Sequence, residues 1–151
     1  MESLTAGEGF KNAYYGDEKN RIYAVTDQIS LTQEDIREVQ MAKGAIAAGI
    51  ELMMEELEIT YEQVDRVILC GAFGTYMNAK SAARIGLIPE PLLSKVIAGG
   101  NAAGMGCRQI TMDQKLFALT GELVQKIEPL DLASRPQFQR TFAKQMAFSE
   151  V

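Results

Sequence analysis

Two apolar runs that each stop at glycine constrain this chain most. Val-Ile-Leu-Cys at 67–70 gives way to Gly71-Ala72-Phe73-Gly74, and Lys-Val-Ile-Ala at 95–98 gives way to Gly99-Gly100-Asn101. Short β-branched runs bounded by glycine read as buried strands. Each is followed by a helix-forming stretch. Strand, glycine turn and helix, twice over, point to an α/β chain with some parallel pairing.

The rest of the chain fits that class. Residues 1–10 read as a loose tail, and 12–15 and 21–25 as a hairpin around the polar insert 16–20. The clearest helix spans 33–57. Thr32 is its N-cap, Glu34 and Asp35 place negative charge in its first turn, and Ile36, Val39, Ile46, Ile50, Met53 and Leu57 form a stripe. Lys43 interrupts that stripe, among small residues that include Gly44 and Gly49. Each mid-helix glycine costs about 1 kcal/mol relative to alanine, so two of them imply a close backbone approach or room for a ligand.

Further on, Thr60 and Gln63 have capping-box spacing, Asn78 caps a helix over 78–85, and Gly86 suits its left-handed end. Pro89 and Pro91 break the chain before a turn at 90–94. A helix is expected over 112–127, a short edge strand or turn at 131–133, and a terminal helix opened by Pro136 with Phe138, Phe142 and Met146 on one side. One domain over 1–151 accounts for the whole.

Composition narrows the function. The net charge of −5 argues against a nucleic-acid or anionic-membrane surface. The chain has no apolar run long enough to span a bilayer and no signal-peptide pattern at Met1, so a cytoplasmic location is the expectation. It has no histidine, which removes the commonest general base, and its two cysteines, Cys70 and Cys107, are too few for a metal site. No catalytic acid or base stands out. Cys70, closing an apolar run, reads as a buried thiol.

In open α/β sheets ligands bind beyond the carboxyl ends of strands. Glycine there removes the Cβ and lets a ring or a phosphate lie against the backbone. Neither turn matches the dinucleotide or phosphate-loop fingerprints. Taken alone, each suits a routine strand–helix turn or a ligand turn. Asn101 suits a helix cap or a ligand contact, Phe73 the core or an aromatic platform, and Lys43 a snorkelling lysine or a charge facing a cleft.

Four segments in order carry a resemblance: Asp-Ile-Arg-Glu-Val-Gln at 35–40, Ala-Lys-Gly-Ala-Ile at 42–46, Gly-Ala-Phe-Gly at 71–74 and Gly-Asn-Ala-Ala-Gly at 100–104. With the closing stretch 127–148, they resemble the C-terminal region of the reductive activators of corrinoid-dependent methyltransferases. That family belongs to the ASKHA superfamily of acetate and sugar kinases, heat-shock chaperones and actin. The resemblance implies a ribonuclease H-like C-terminal lobe, a mixed sheet flanked by helices, with a nucleotide between two lobes. It places Gly71, Ala72, Phe73 and Gly74 against the base or ribose of ATP, Gly100 and Asn101 on the adjoining wall, and Lys43 as a charge facing the cleft. Ala72 departs from the adjacent glycines usual in the adenosine motif. Complete activators resemble a machine in which a [2Fe–2S] region supplies one electron and ATP with Mg drives Co(II) corrinoid to Co(I). The iron–sulfur cysteines and the Asp-x-Gly-Thr-Thr phosphate motif are not in this sequence, so the chain is expected to be part of a longer protein. A corrinoid protein or methyltransferase is the implied partner. Another kinase or dehydratase-activator lobe, or a non-catalytic interaction or homodimerisation module, are the alternatives.

Overall fold

A computed structural model describes residues 14–15, 22–26, 28–132 and 134–148. The expected loose tail at 1–10, the hairpin turn and Ala133 lie outside them. The chain divides into two compact units, 1–42 and 43–151, and the boundary falls inside the long helix.

In the first unit β1 (Tyr14–Tyr15), β2 (Ile22–Ala24) and β3 (Ser30–Thr32) form an antiparallel sheet in that order. The hairpin pairs Tyr14 with Tyr23 as the sequence implies. The third strand is a finding, with Tyr23 paired to Leu31. Thr26 closes the β2–β3 connection by accepting from the Ile29 N–H at 3.0 Å.

Helix α1 (Gln33–Glu56) starts at the expected cap. The Asp35 N–H donates to Thr32 Oγ1 at 3.1 Å. In return Asp35 Oδ2 accepts from the Thr32 hydroxyl at 2.7 Å and the Thr32 N–H at 2.8 Å, a reciprocal box with aspartate in the glutamate position. The hydroxyl bond, then the backbone bond, hold the Asp35 carboxyl below its usual range. Because its folded value lies below its unfolded one, the stabilisation is present above the ordinary aspartate pKa and is lost as pH falls through the lowered value. Thr32→Ala will move Asp35 upward in an NMR pH titration and flatten the acid limb of the stability curve in that window.

In the second unit the core is Ala82, Leu87, Ile88 and Leu92, with Ile46, Ile50, Val67, Leu69 and Val96 packed on it. Strand β4 (Val67–Cys70) pairs in parallel with β5 (Val96–Gly100), Val67 opposite Val96. Among the described residues, parallel and antiparallel pairings therefore lie in two sheets rather than in one mixed sheet. Side chains alternate across a strand. Val67 and Leu69 meet the core, while Ile68 on the other face is 57% exposed. The expected buried strand is thus covered on one face only.

Helix α2 (Gly71–Tyr76) leaves β4 without an intervening turn. Helix α3 (Ala79–Arg84) follows, capped by Asn78 Oδ1 accepting from the Ser81 N–H at 3.0 Å, and Gly86 closes it at φ +76°. Gln63 Oε1 accepts from the Thr60 N–H at 2.7 Å, the bond expected of that spacing. The glycine run enters α4 (Ala102–Met112), and Asp113 ends it and caps α5 (Gln114–Val124), accepting from the Lys115 N–H at 2.8 Å. Two helices thus stand where the apolar spacing implies one from 112 to 127. Residues 131 and 132 are not in a strand, and Ser134 bonds back to Asp131 as in a turn.

Helix α6 (Pro136–Met146) begins at proline as expected, and Phe138 stacks on Phe142 with centroids 5.9 Å apart. It meets α1 at Gly44 and Glu51, while Val39, Met53 and Leu57 of the expected apolar stripe are exposed. Gly44 makes the contact possible. A Cβ there would lie 3.2 Å from the Met146 nitrogen. Close backbone approach, one of the two readings of the small residues, is therefore realised at Gly44. Gln145 Nε2 donates to Glu51 at 2.6 Å and Arg135 pairs with Glu56 at 2.6 Å along the same junction.

Candidate functional site

The parallel pairing brings the two glycine-rich strand ends side by side. Cys70 stands opposite Gly100, and Gly99 is the extra residue of a bulge between the Leu69 and Cys70 pairings. Gly71 has φ +70° and Gly100 φ +55°, so both ends turn through the left-handed region. A Cβ at either would meet nothing within 4 Å. Glycine is needed there for backbone conformation, and the space outside is free.

Gly74 answers a different demand. Helix α2 packs on β4 and β5, and a Cβ at Gly74 would lie 2.0 Å from the Leu69 oxygen and 3.1 Å from the Gly100 nitrogen. The absent side chain lets the helix sit on the strand ends. The Thr75 hydroxyl donates to the Gly71 oxygen at 3.2 Å and tightens the first turn.

Asn101 is a helix cap in this structure. Its Oδ1 accepts from the Gly104 N–H at 2.9 Å, and a Cβ at Gly104 would lie 2.6 Å from the Asn101 amide nitrogen. Glycine at 104 therefore lets the cap fold back, a role the motif spacing did not single out.

Six of the predicted residues reach solvent here or nearly so. Gly71, Ala72 and Asn101 are exposed, Gly74 and Gly100 half-buried, and Phe73 is 53% exposed. This corrects the core reading of Phe73. Cys70 is an exposed thiol, not a buried one, because its side of the sheet is uncovered. Tyr76, one turn beyond Phe73 on the same helix, is 86% exposed and was not singled out from sequence. Its three-residue spacing from Phe73 was the available signal.

Lys43 is not gathered with these residues. It is 1% exposed, its ammonium donates to the Ala147 oxygen at the end of α6, and it lies 5.3 Å from the Phe148 ring centre. Where a snorkelling lysine or a cleft-facing charge was expected, the structure has a buried cation capping a helix. Burial pushes its pKa down.

The arrangement offers free backbone at two adjoining strand ends, beside an exposed aromatic ring. Among the described residues, no three of His, Cys, Asp and Glu gather closely enough to hold a metal, and no helix is long and apolar enough to cross a membrane. Such a wall can bind and orient a flat ligand.

Comparison with known proteins agrees with the sequence motifs. The chain is 30% identical over 149 residues to the corrinoid activation enzyme RamQ of Eubacterium limosum, covering 93% of this chain and 25% of that protein. It is 26% identical over 122 residues to the [Co(II) methylated amine-specific corrinoid protein] reductase of Methanosarcina barkeri, covering 80% and 22%. Among solved structures, a reductive activator for corrinoid, iron–sulfur protein superposes with a TM-score of 0.80 at 29% identity, over 89% of this chain and 23% of that one. The chain thus spans about a quarter of the length of these relatives. The sequence model of the family described as the C-terminal domain of RACo, the ASKHA domain, matches residues 6–151. With that match across nearly all of its length, the chain belongs to the family of RACo C-terminal ASKHA domains.

Proposed function

We propose that this chain is the ribonuclease H-like C-terminal lobe of an ATP-dependent reductive activator that returns Co(II) corrinoid proteins to Co(I). The carrying observation is the pair of strand ends, Gly71 to Gly74 beside Gly100 and Asn101, with positive φ at both Gly71 and Gly100. The left-handed turns expose backbone to a nucleotide, and Phe73 offers a ring for the adenine base to stack on. Asn101 holds the start of α4 and so fixes the adjoining wall. ATP with Mg supplies the free energy for an uphill one-electron reduction. The phosphate grip, the metal-holding carboxylates and the [2Fe–2S] electron source belong to the remainder of the activator. The names of the relatives supply the substrate class, a corrinoid protein.

The test is calorimetric titration of MgATP into the full-length protein and its Phe73→Ala variant. Loss of a base-stacking ring is worth about 1–3 kcal/mol, roughly 5- to 150-fold in Kd. Phe73 is half exposed, so its removal leaves thermal stability nearly unchanged. Absence of ATP binding in the full-length protein sinks the proposal.

A second readout uses the exposed thiol. In a Cys107→Ser background, saturating MgATP will slow alkylation of Cys70, which directly precedes Gly71. Equal labelling rates with and without nucleotide place ATP elsewhere.

A further inference from the structure

Helix α5 carries an exposed heptad seam. Leu116, Leu119 and Leu123 recur at three- and four-residue steps, and all three are exposed. Lys115 and Glu122, seven residues apart, run along one edge of that seam and are the only charged residues within α5. Both are exposed, and neither side chain makes a hydrogen bond or ion pair with any described residue. The charges that flank them do not account for them. Asp113 caps the helix by accepting from the Lys115 N–H, Lys126 makes no ion pair with Glu122 four residues before it, and Arg108 and Glu128 lie outside α5. Their order also runs against the helix itself. The dipole favours acids in the first turn and bases in the last, yet the lysine stands in the first turn and the glutamate in the last.

We infer that α5 is a homodimer interface, in which two copies of this chain pair antiparallel along the leucine seam with Lys115 of each on Glu122 of the other. Charge complementarity selects the occupant and its direction. About a two-fold axis, the edge carrying Lys115 and Glu122 meets the same edge of the second copy, so both ion pairs form at once and Leu116 meets Leu119. A parallel copy would set the two charges against the opposite edge, Thr120 and Ile127, and leave them unpaired. The antiparallel sense also brings each lysine to the negative end of the other helix and each glutamate to the positive end. It sets the end of each α5 beside the start of the other. There a groove of about 570 Å³ opens at the α4–α5 corner, lined by Ile110, Thr111, Met112, Gln114 and Phe117. The exposed Ile127, just beyond α5, is the apolar side chain that the second copy offers it.

The test is sedimentation velocity of the full-length protein and two charge variants. Two helices of 11 residues and their corner grooves form a small interface, so a micromolar dimer is expected of wild type. Lys115→Glu sets acid against acid at both ends of the pair, and Glu122→Lys sets base against base. Each variant alone will dimerise at least about tenfold more weakly. Mixed in equal amounts, the two variants regain both ion pairs and will associate with each other at close to wild-type affinity. Neither exchange harms the helix itself, because each brings a charge into line with its dipole. Thermal midpoints of the dilute variants will therefore match or exceed that of dilute wild type. Wild type that stays monomeric up to about 0.1 mM, as when α5 is covered by the rest of its own molecule, overturns the inference. So does a dimer that either exchange leaves intact, or a mixture that fails to associate.

Discussion

Gly74→Ala will cost about 3 kcal/mol or more and will move the urea midpoint down by about 1 M or more. The alanine Cβ would lie 2.0 Å from the Leu69 oxygen, 2.8 Å from the Leu69 carbonyl carbon and 3.1 Å from the Gly100 nitrogen. All three are backbone atoms of paired strands, so none can swing aside as a side chain would. Relief requires α2 to lift off β4 and β5, which displaces Gly71 and Phe73 with it. Under the proposed function, nucleotide affinity of the full-length protein is therefore expected to fall together with stability. Gly121→Ala is the control. It lies within α5, and a Cβ there would meet nothing within 4 Å. Removing a mid-helix glycine in open space stabilises by about 0.5–1 kcal/mol. Opposite signs from the same one-atom addition separate packing from backbone entropy. If Gly74→Ala unfolds at the wild-type midpoint, the tight seat of α2 on the strand ends is wrong.

That contrast also shows which parts of the molecule can be read from sequence. Caps are written in local chemistry. Thr32, Asn78, Gly86 and Pro136 each act within a few residues, and each occupies the place its residue type implies. The adjacency of the two glycine turns follows from parallel pairing of the strands that carry them. Long-range facts are harder to read. The three-residue β3 depends on register with β2, too short a run to leave a pattern. The break at Asp113 is masked by apolar residues that keep helical spacing on both sides of it. The buried face of α1 includes its small residues, with Met146 close on Gly44, and size complementarity with a segment about a hundred residues away has no periodic signature.

Exposure of Cys70, Phe73 and Ile68 has another cause. Apolar patterning tells which residues want cover, and cover is supplied by whatever packs there. Helices α4 and α5 make the point most strongly, for neither buries a single residue although Met112, Phe117, Leu123 and Val124 are large and apolar. In relatives four times as long, far more chain is available to cover such faces.

Lys43→Ala will destabilise the chain by about 3 kcal/mol, and Lys43→Met by clearly less. The lysine stem fills space between α1 and the end of α6, so alanine leaves a cavity that methionine largely refills. Both variants lose the bond to the Ala147 oxygen, one of the last carbonyls of α6, which have no partner within their own helix. Both also lose the cation beside the Phe148 ring. The two variants therefore divide the effect into volume and charge. The pH dependence isolates the charge. Burial lowers the folded pKa of Lys43 below its unfolded value of 10.5. Between those two values the unfolded chain binds more protons than the folded one, so the contribution of this group to stability rises with pH. Wild type should gain on Lys43→Met as pH climbs through that window, since the charged form no longer has to be held out of water. Urea midpoints of both proteins, measured from neutral pH upward, read the difference directly, and other titrating groups cancel between them. A constant gap across the whole range would mean that the ammonium is solvated in the folded chain and that α6 does not seal it.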